Sequence, residues 1–404
     1  MSKRILLTVL VAALGYFVDV YDLILFNVVR LPSLKGLGVP ESEMLSTGIL
    51  LLNTQNAGLV VGGLLWGILG DKRGRLSVLF GSILVYSLAN ISNGFVTSVP
   101  LYAVLRFIAG VGLAGELGAG ITLVAEVMPS EKRGYGTMMV AGAGMLGGIT
   151  GALIGDQLPW RTSYFVGGGL GLLLLVLRIG VFESGLFEKM KTETNVSKGN
   201  FLSLFSSRQR ALKYLSVIVV GLPVWLSIGI LITFAPEIGR DMGMVHLPKV
   251  GRALVFWYFG MFIGDLGSGL VSQLLKGRKK AIGVWLVLCT LTIILYFSNV
   301  ANSSLTVFYG ICWLLGLSSG YWAVFVTVAA ENFGTNVRAT VTTTAPNMVR
   351  GGIILLTSGF KLGKPVLGIT GSATAVAIAT MLLAAIALQG VRETFHADLD
   401  YVEK

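Results

Sequence analysis

Gly15-Tyr16-Phe17-Val18-Asp19-Val20-Tyr21-Asp22-Leu23-Ile24-Leu25-Phe26-Asn27 lies inside an apolar run from about Ile5 to Val29. The run is long enough to cross a hydrocarbon layer as a helix, which needs about 20 residues. It is longer than the apolar core of a cleaved leader, so it reads as a retained span. Two acids stand in it. Asp19 and Asp22 are three residues apart, so a helix places them on one face, about 4.5 Å apart along its axis. A carboxylate at that depth costs at least about 2.5 kcal/mol, and two on one face also repel. Such a pair persists where water, a proton or a cation stabilises it. This face is therefore expected to line a cavity and to take part in proton coupling.

The whole chain has the same character. Of its 404 residues 54% are hydrophobic, 54 are glycine, and only 13% are charged, about half the share usual in soluble domains. This composition excludes a soluble globular protein. A net charge of +11 would suggest nucleic acid in a soluble chain. Here the basic residues fall in short loops between apolar runs, so no nucleic-acid partner is expected. Cys289 and Cys312 lie in apolar runs, and His246 and His396 fall in a loop and in the tail. No disulfide, metal site or cofactor is expected. No nucleophile–base set lies in the apolar runs, which argues against an enzyme.

Apolar runs of about 18 or more residues recur at 5–29, 46–70, 76–95, 99–127, 135–156, 161–182, 211–236, 252–275, 281–300, 304–330, 339–361 and 365–390. They predict an all-α membrane protein of twelve transmembrane helices. Lys72, Arg73, Arg75, Lys132, Arg133 and Lys276 to Lys280 fall in one set of loops, together with the basic residues of the 183–210 segment. The positive-inside rule makes that set, and both termini, cytoplasmic. The halves repeat: Ala125-Glu126 through Lys132-Arg133 matches Ala330-Glu331 through Val337-Arg338, and Gly74-Arg75 has a looser echo in Gly277-Arg278. The organisation read from this is a six-helix bundle over 1–182, a cytoplasmic linker over 183–210 and a second six-helix bundle over 211–404, the layout of parallel-repeat transporters.

Gly67-Ile68-Leu69-Gly70-Asp71-Lys72-Arg73-Gly74-Arg75 joins the second and third spans. It resembles the G-x-x-x-D-x-x-G-R signature of the major facilitator superfamily. Arg106-Phe107-Ile108-Ala109-Gly110 resembles that family's R-x-x-x-G element. Gly110 to Gly115 also fits G-x-G-x-x-G, but it lies mid-helix with no preceding strand, so nucleotide binding is excluded and tight helix packing expected. The longer string from Arg106 through Gly115-Glu116-Leu117-Gly118 to Ala125-Glu126, Pro129 and Arg133-Gly134, with Asp19-Val20-Tyr21-Asp22, is similar to the metabolite:proton and organic-anion symporters of the superfamily. That resemblance implies two pseudo-symmetric bundles and a carrier that is monomeric and resides in the bacterial cytoplasmic membrane.

The expected site follows from unshared midplane charges. Glu116 stands midway along the fourth span, as Asp19 does along the first. It reads either as a proton site shared with Asp19 and Asp22 or as a hydrogen-bonded structural acid. Arg350 stands near the middle of the eleventh span in Ala345-Pro346-Asn347-Met348-Val349-Arg350-Gly351-Gly352. Pro346 and the glycine pair should bend the helix there. An arginine at that depth needs an anion, which is Asp19, Glu116 or the substrate. The Asn347-x-x-Arg350 spacing looks like the carboxylate-handling members of the group. Tyr21 and Tyr321 are the aromatic candidates for substrate contact. Asp71, Arg75, Arg106, Glu126, Arg133, Glu331 and Arg338 form the expected gating set. The glycine-rich fifth span lacks the proline of the antiporter motif, which favours symport. The function expected is proton-coupled symport of a small organic anion by alternating access. The alternatives are an uncoupled facilitator or exporter, including one for a cationic solute, and a phosphate:proton symporter.

Overall fold

The computed structural model describes residues 3–73, 75–116, 120, 133–182, 201–299 and 304–395. All regular structure among them is helical. The helices are α1 Lys3–Gly36, α2 Met44–Arg73, α3 Arg75–Asn93, α4 Val99–Leu113, α5 Arg133–Gln157, α6 Trp160–Phe182, α7 Arg208–Leu226, α8 Ala235–Asp241, α9 Val250–Leu274, α10 Arg278–Asn299, α11 Leu305–Ser319, α12 Trp322–Glu331, α13 Thr335–Gly351 and α14 Ile353–Gly390.

Among the described residues nine helical stretches are long and apolar enough to cross a membrane, and two shorter apolar helices cover Val78–Asn93 and Val99–Leu113. The last of the nine, Thr340–Gly390, has 51 residues. At 1.5 Å per residue it would run about 75 Å, more than twice a hydrocarbon core. The chain turns inside it at Gly368, where φ is 71°; a residue without Cβ occupies that left-handed position at little cost. The stretch therefore makes two crossings, and the total is twelve. The turn falls after Pro365, a few residues later than the boundary read from Lys361 and Lys364.

The described residues divide into two compact units, within Met1–Pro40 and Leu50–Lys198, and within Glu41–Ile49 and Gly199–Lys404. Each contains a glycine-lined crossing of the same design. In the first, Gly58 and Gly62 of α2 lie against the carbonyls of Phe107 and Val111 in α4, and Gly110 of α4 lies against that of Gln55. In the second, Gly260 and Gly264 of α9 lie against the carbonyls of Trp313 and Leu317 in α11, and Gly316 of α11 lies against that of Trp257. A Cβ at any of these would meet backbone, which cannot yield as a flexible side-chain end can. Close approach of small residues is the main source of helix adhesion in lipid. The two units thus share a packing device, at positions other than the repeat read from 125–133 and 330–338.

Three crossings of the second unit are interrupted. The seventh continues from α7 into π-helical turns at Ser227–Ile232. The tenth breaks between α11 and α12 at Gly320, and the eleventh breaks between α13 and α14 at Gly352. The last break is the one expected from Gly351-Gly352; the other two were not anticipated. In the first unit α1 runs on through Pro32 to Gly36. Arg30, just past the apolar run that ends near Val29, is therefore inside a helix and fully buried. An apolar run marks where lipid ends, not where helical hydrogen bonding ends.

Candidate functional site

In the first unit the acids are inside. Asp19 and Asp22 are 0% and 1% exposed, so the face that carries them is a packed one. The fifth span explains how α1 is held. Gly144, Gly147 and Gly151 of α5 abut the Tyr16 ring and the backbone of Phe17 and Tyr21, and Gly155 faces Val28. This glycine face, read from sequence for its bearing on symport, is a groove that receives α1. On another side Gly167 of α6 comes up against Asp22 Oδ1 and the Tyr21 ring.

Asp22 faces the Asn90 amide of α3 and the Arg106 guanidinium of α4, with Asp19 as a repelling neighbour. Arg106 is fully buried. It donates to Gln55 Oε1 and, at 3.5 Å, to the Tyr164 hydroxyl, and lies 4.6 Å from the Phe26 ring centroid. Tyr164 is in turn 2.5 Å from the Tyr102 hydroxyl. Arg106, expected in the gating set, thus belongs to the interior cluster around Asp22. The Tyr21 hydroxyl donates to the Ser163 carbonyl at 3.0 Å, a tie between α1 and α6.

Glu116 is built differently. Its two oxygens accept from Nη1 and Nη2 of Arg178 at 2.8 Å each. Arg178 Nη1 also donates to the Leu79 carbonyl at 2.9 Å, and the Ser82 hydroxyl donates to Glu116 Oε1 at 3.3 Å. Both side chains are 1% exposed. Gly15 of α1 sits on the pair: a Cβ there would come within 2.8 Å of Glu116 Oε2 and collide with the guanidinium. The charge–charge pair is bidentate, which is the strongest form available to arginine and carboxylate. Glu116 is held as an ion pair with Arg178, a partner that neither reading of it named. Arg178 lies inside the sixth apolar run, and its role is invisible there because its partner is 62 residues away.

In the second unit Asn347 and Arg350 are 0% and 2% exposed, on the inner part of α13. The Arg350 guanidinium is 5.9 Å from the Trp225 ring centroid of α7. Gly221 of α7 packs on Val349, Gly352 packs on Leu222, and the Tyr321 hydroxyl donates to the Val220 carbonyl at 2.8 Å. Arg350 of the eleventh crossing thus lies near the seventh, and the tenth is tied to the seventh just after its break at Gly320; irregular crossings of this kind are common at binding sites. A further acid, not singled out in the sequence, lies in α9: Asp265 Oδ1 accepts from the Ala323 N–H at 3.2 Å, at the start of α12. It caps the half-helix that follows the Gly320 break.

Of the gating set, Glu331 is paired with Arg278 (Nε to Oε2, 3.4 Å) and accepts from the Thr394 hydroxyl at 2.6 Å. Glu393 caps α10 by accepting from the N–H of Arg278 at 2.7 Å. The acid that the Gly277-Arg278 turn lacks in sequence comes from the end of α12. The side chains of Asp71, Arg75, Arg133 and Arg338 lie outside the described residues, as does Glu126 altogether. Among the described residues no group of three or more His, Cys, Asp or Glu could hold a metal.

A family model described as the Major Facilitator Superfamily matches residues 12–357. A probable 4-methylmuconolactone transporter of Cupriavidus pinatubonensis is 26% identical over 81% of this chain and 76% of its own length. The 4-hydroxybenzoate transporter PcaK of Pseudomonas putida is 27% identical over 83% and 81%. A crystal structure of a D-xylose-proton symporter superposes with a TM-score of 0.69 at 15% identity, covering 97% of this chain and 99% of that one.

Proposed function

The chain belongs to the major facilitator superfamily, a multi-pass membrane transporter and not an enzyme, and from that premise we propose that it carries a small organic anion together with protons by alternating access. The observation that carries the reading is a set of ionisable groups buried at mid-span in each unit, with the carboxylates Asp19 and Asp22 on α1 and the cation Arg350 beside Asn347 on α13. The names of the relatives support the substrate class, since 4-hydroxybenzoate and 4-methylmuconolactone are both organic acids.

In this reading Arg350 receives the carboxylate of the substrate, with the Asn347 amide beside it. Arginine stays charged in any pH of interest, so it needs an anion at every stage of the cycle. Asp19 and Asp22 take the proton. A proton on either removes the repulsion between them, and Arg106 supports whichever carboxylate remains ionised. Glu116 is committed to Arg178 and carries no transported proton. The Arg278–Glu331 pair is the described latch of the gating set, and Asp71, Arg75, Glu126, Arg133 and Arg338 complete it. The site is proposed for a monomer in a bacterial cytoplasmic membrane with both termini cytoplasmic.

The test is uptake into proteoliposomes with 4-hydroxybenzoate, muconate and nicotinate as probes. An imposed pH gradient, acidic outside, should drive accumulation of at least one. Asp19→Asn and Asp22→Asn should each abolish the accumulation, and Arg350→Gln should abolish anion uptake with or without the gradient. Gradient-driven uptake that is intact in both aspartate variants would remove the coupling assignment. Uptake of amines that survives Arg350→Gln would favour a cationic solute.

A further inference from the structure

The third span carries a polar face that the reading above does not use. Ser82, Tyr86, Asn90 and Asn93 recur at four, four and three residues, so they share one side of α3. All four are 0% exposed, as is Ser87 beside them. Ser82 is engaged by Glu116, and Asn90 faces Asp22. The Tyr86 hydroxyl, the Ser87 hydroxyl and both amide atoms of Asn93 find no hydrogen-bond partner among the described residues. Leaving that many polar atoms dry costs about 1–3 kcal/mol each, far more than packing alone would tolerate.

The charges that face Tyr86 come from every neighbouring element. They are Asp19 and Asp22 of α1, Glu116 beyond α4, and Arg178 of α6. The ring is fixed by close backbone contacts: Gly112 lies against the Tyr86 main chain, and Gly171 faces both Tyr86 and Ser87. The ring thus lies within the electrostatic reach of both the carboxylate pair and the Glu116–Arg178 ion pair.

We propose that this face of α3 is a hydration site. Internal waters on Asn93, Asn90, Ser87 and Tyr86 form a file about 10 Å long, at 1.5 Å per residue, from the Asn93 end of the span to Tyr86, and it passes Asp22 where that carboxyl faces Asn90. Buried waters of this kind make about three hydrogen bonds each to groups otherwise unsatisfied, and the amides and hydroxyls here supply them. The file delivers protons to Asp22. A proton added at the Asn93 end passes from water to water, each oxygen accepting one and releasing another, and ends on a carboxylate oxygen. Tyr86 closes the inner end, because both oxygens of Glu116 beyond it already accept from Arg178. The delivery role rests on the coupling reading of Asp19 and Asp22; the hydration site does not.

The test is radiolytic hydroxyl labelling of the full chain in detergent. Water bound next to a side chain makes it label quickly even when it is closed to bulk solvent. Tyr296 and Tyr321 are internal controls: they are equally buried, and their hydroxyls donate to the Leu231 and Val220 carbonyls. Tyr86 should label at least tenfold faster than either, and the double variant Asn90→Leu/Asn93→Leu should reduce it to their rate. Labelling of Tyr86 at the control rate in the unmodified chain, or undiminished labelling in the double variant, overturns the hydration site. For delivery, a pH jump followed by infrared absorption of the carboxyl group that Asp22→Asn removes should show at least tenfold slower protonation in Asn93→Leu. An unchanged rate overturns delivery. A chain in which no such band titrates overturns the coupling reading and delivery together, while the labelling ratio still decides the water.

Discussion

Breaking the Glu116–Arg178 pair from one side should be worse than removing it. In Glu116→Gln the guanidinium keeps its place, pinned by the Leu79 carbonyl at 2.9 Å, but loses the charge that balanced it at 2.8 Å twice over. A lone buried charge of this kind costs about 3–5 kcal/mol. At about 2–4 °C per kcal/mol for a unit of this size, the thermal midpoint falls by roughly 6–20 °C. Arg178→Gln leaves the carboxylate with only the Ser82 hydroxyl at 3.3 Å and should fall in the same range. The double variant Glu116→Gln/Arg178→Gln has no charge to balance, and the amide placed at position 116 remains beside the Ser82 hydroxyl. It should recover more than half of the loss, and gradient-driven uptake with it. The assay is thermal unfolding in one detergent, followed by uptake in liposomes. A double variant no more stable than the singles would refute the ion-pair reasoning. A stable double variant that transports without the pH gradient would return Glu116 to the coupling set.

Other expectations follow from single contacts. Asp265→Ala removes the cap on α12 and should cost about 1 kcal/mol, whereas Asp265→Asn, which still accepts from the Ala323 N–H, should cost less than half of that; unfolding midpoints of the two decide it. Gly147→Ala places a methyl group against the Phe17 backbone and should displace α1, with uptake falling at least tenfold while the chain still folds and runs as one peak on gel filtration. Glu331→Gln frees Arg278 and Thr394; accessibility of a cysteine placed at Thr394 should rise, and unchanged accessibility would show that the pair is no latch.

The twelve crossings were legible because lipid imposes one requirement, length of apolar run, and every span meets it alone. The acids of α1 and the cation of α13 were legible for the same reason: charge stands out against that background. Partners were not. Arg178 meets Glu116, and Arg278 meets Glu331, across tens of residues, so a search of the sequence beside either arginine does not find the acid it is bonded to. The π-helical turns at Ser227–Ile232 lie in apolar sequence that does not mark them, whereas the break at Gly320 was passed over although Ser318-Ser319-Gly320 stands there. Asp265 stood in plain view inside the eighth run and was passed over because its use, a cap on a half-helix, exists only once Gly320 has broken the tenth.

The turn at Gly368 has a bearing on how the chain is made. Its following helix is capped from a distance: Asp241, at the end of α8, accepts from the N–H of Thr370 at 2.9 Å and from its hydroxyl at 2.7 Å. The carboxylate leaves the ribosome 129 residues before the groups it binds. Through the insertion of four further crossings it waits with nothing to hold. The clasp on the corner between the last two crossings can therefore close only once Thr370 has been made, four crossings after α8.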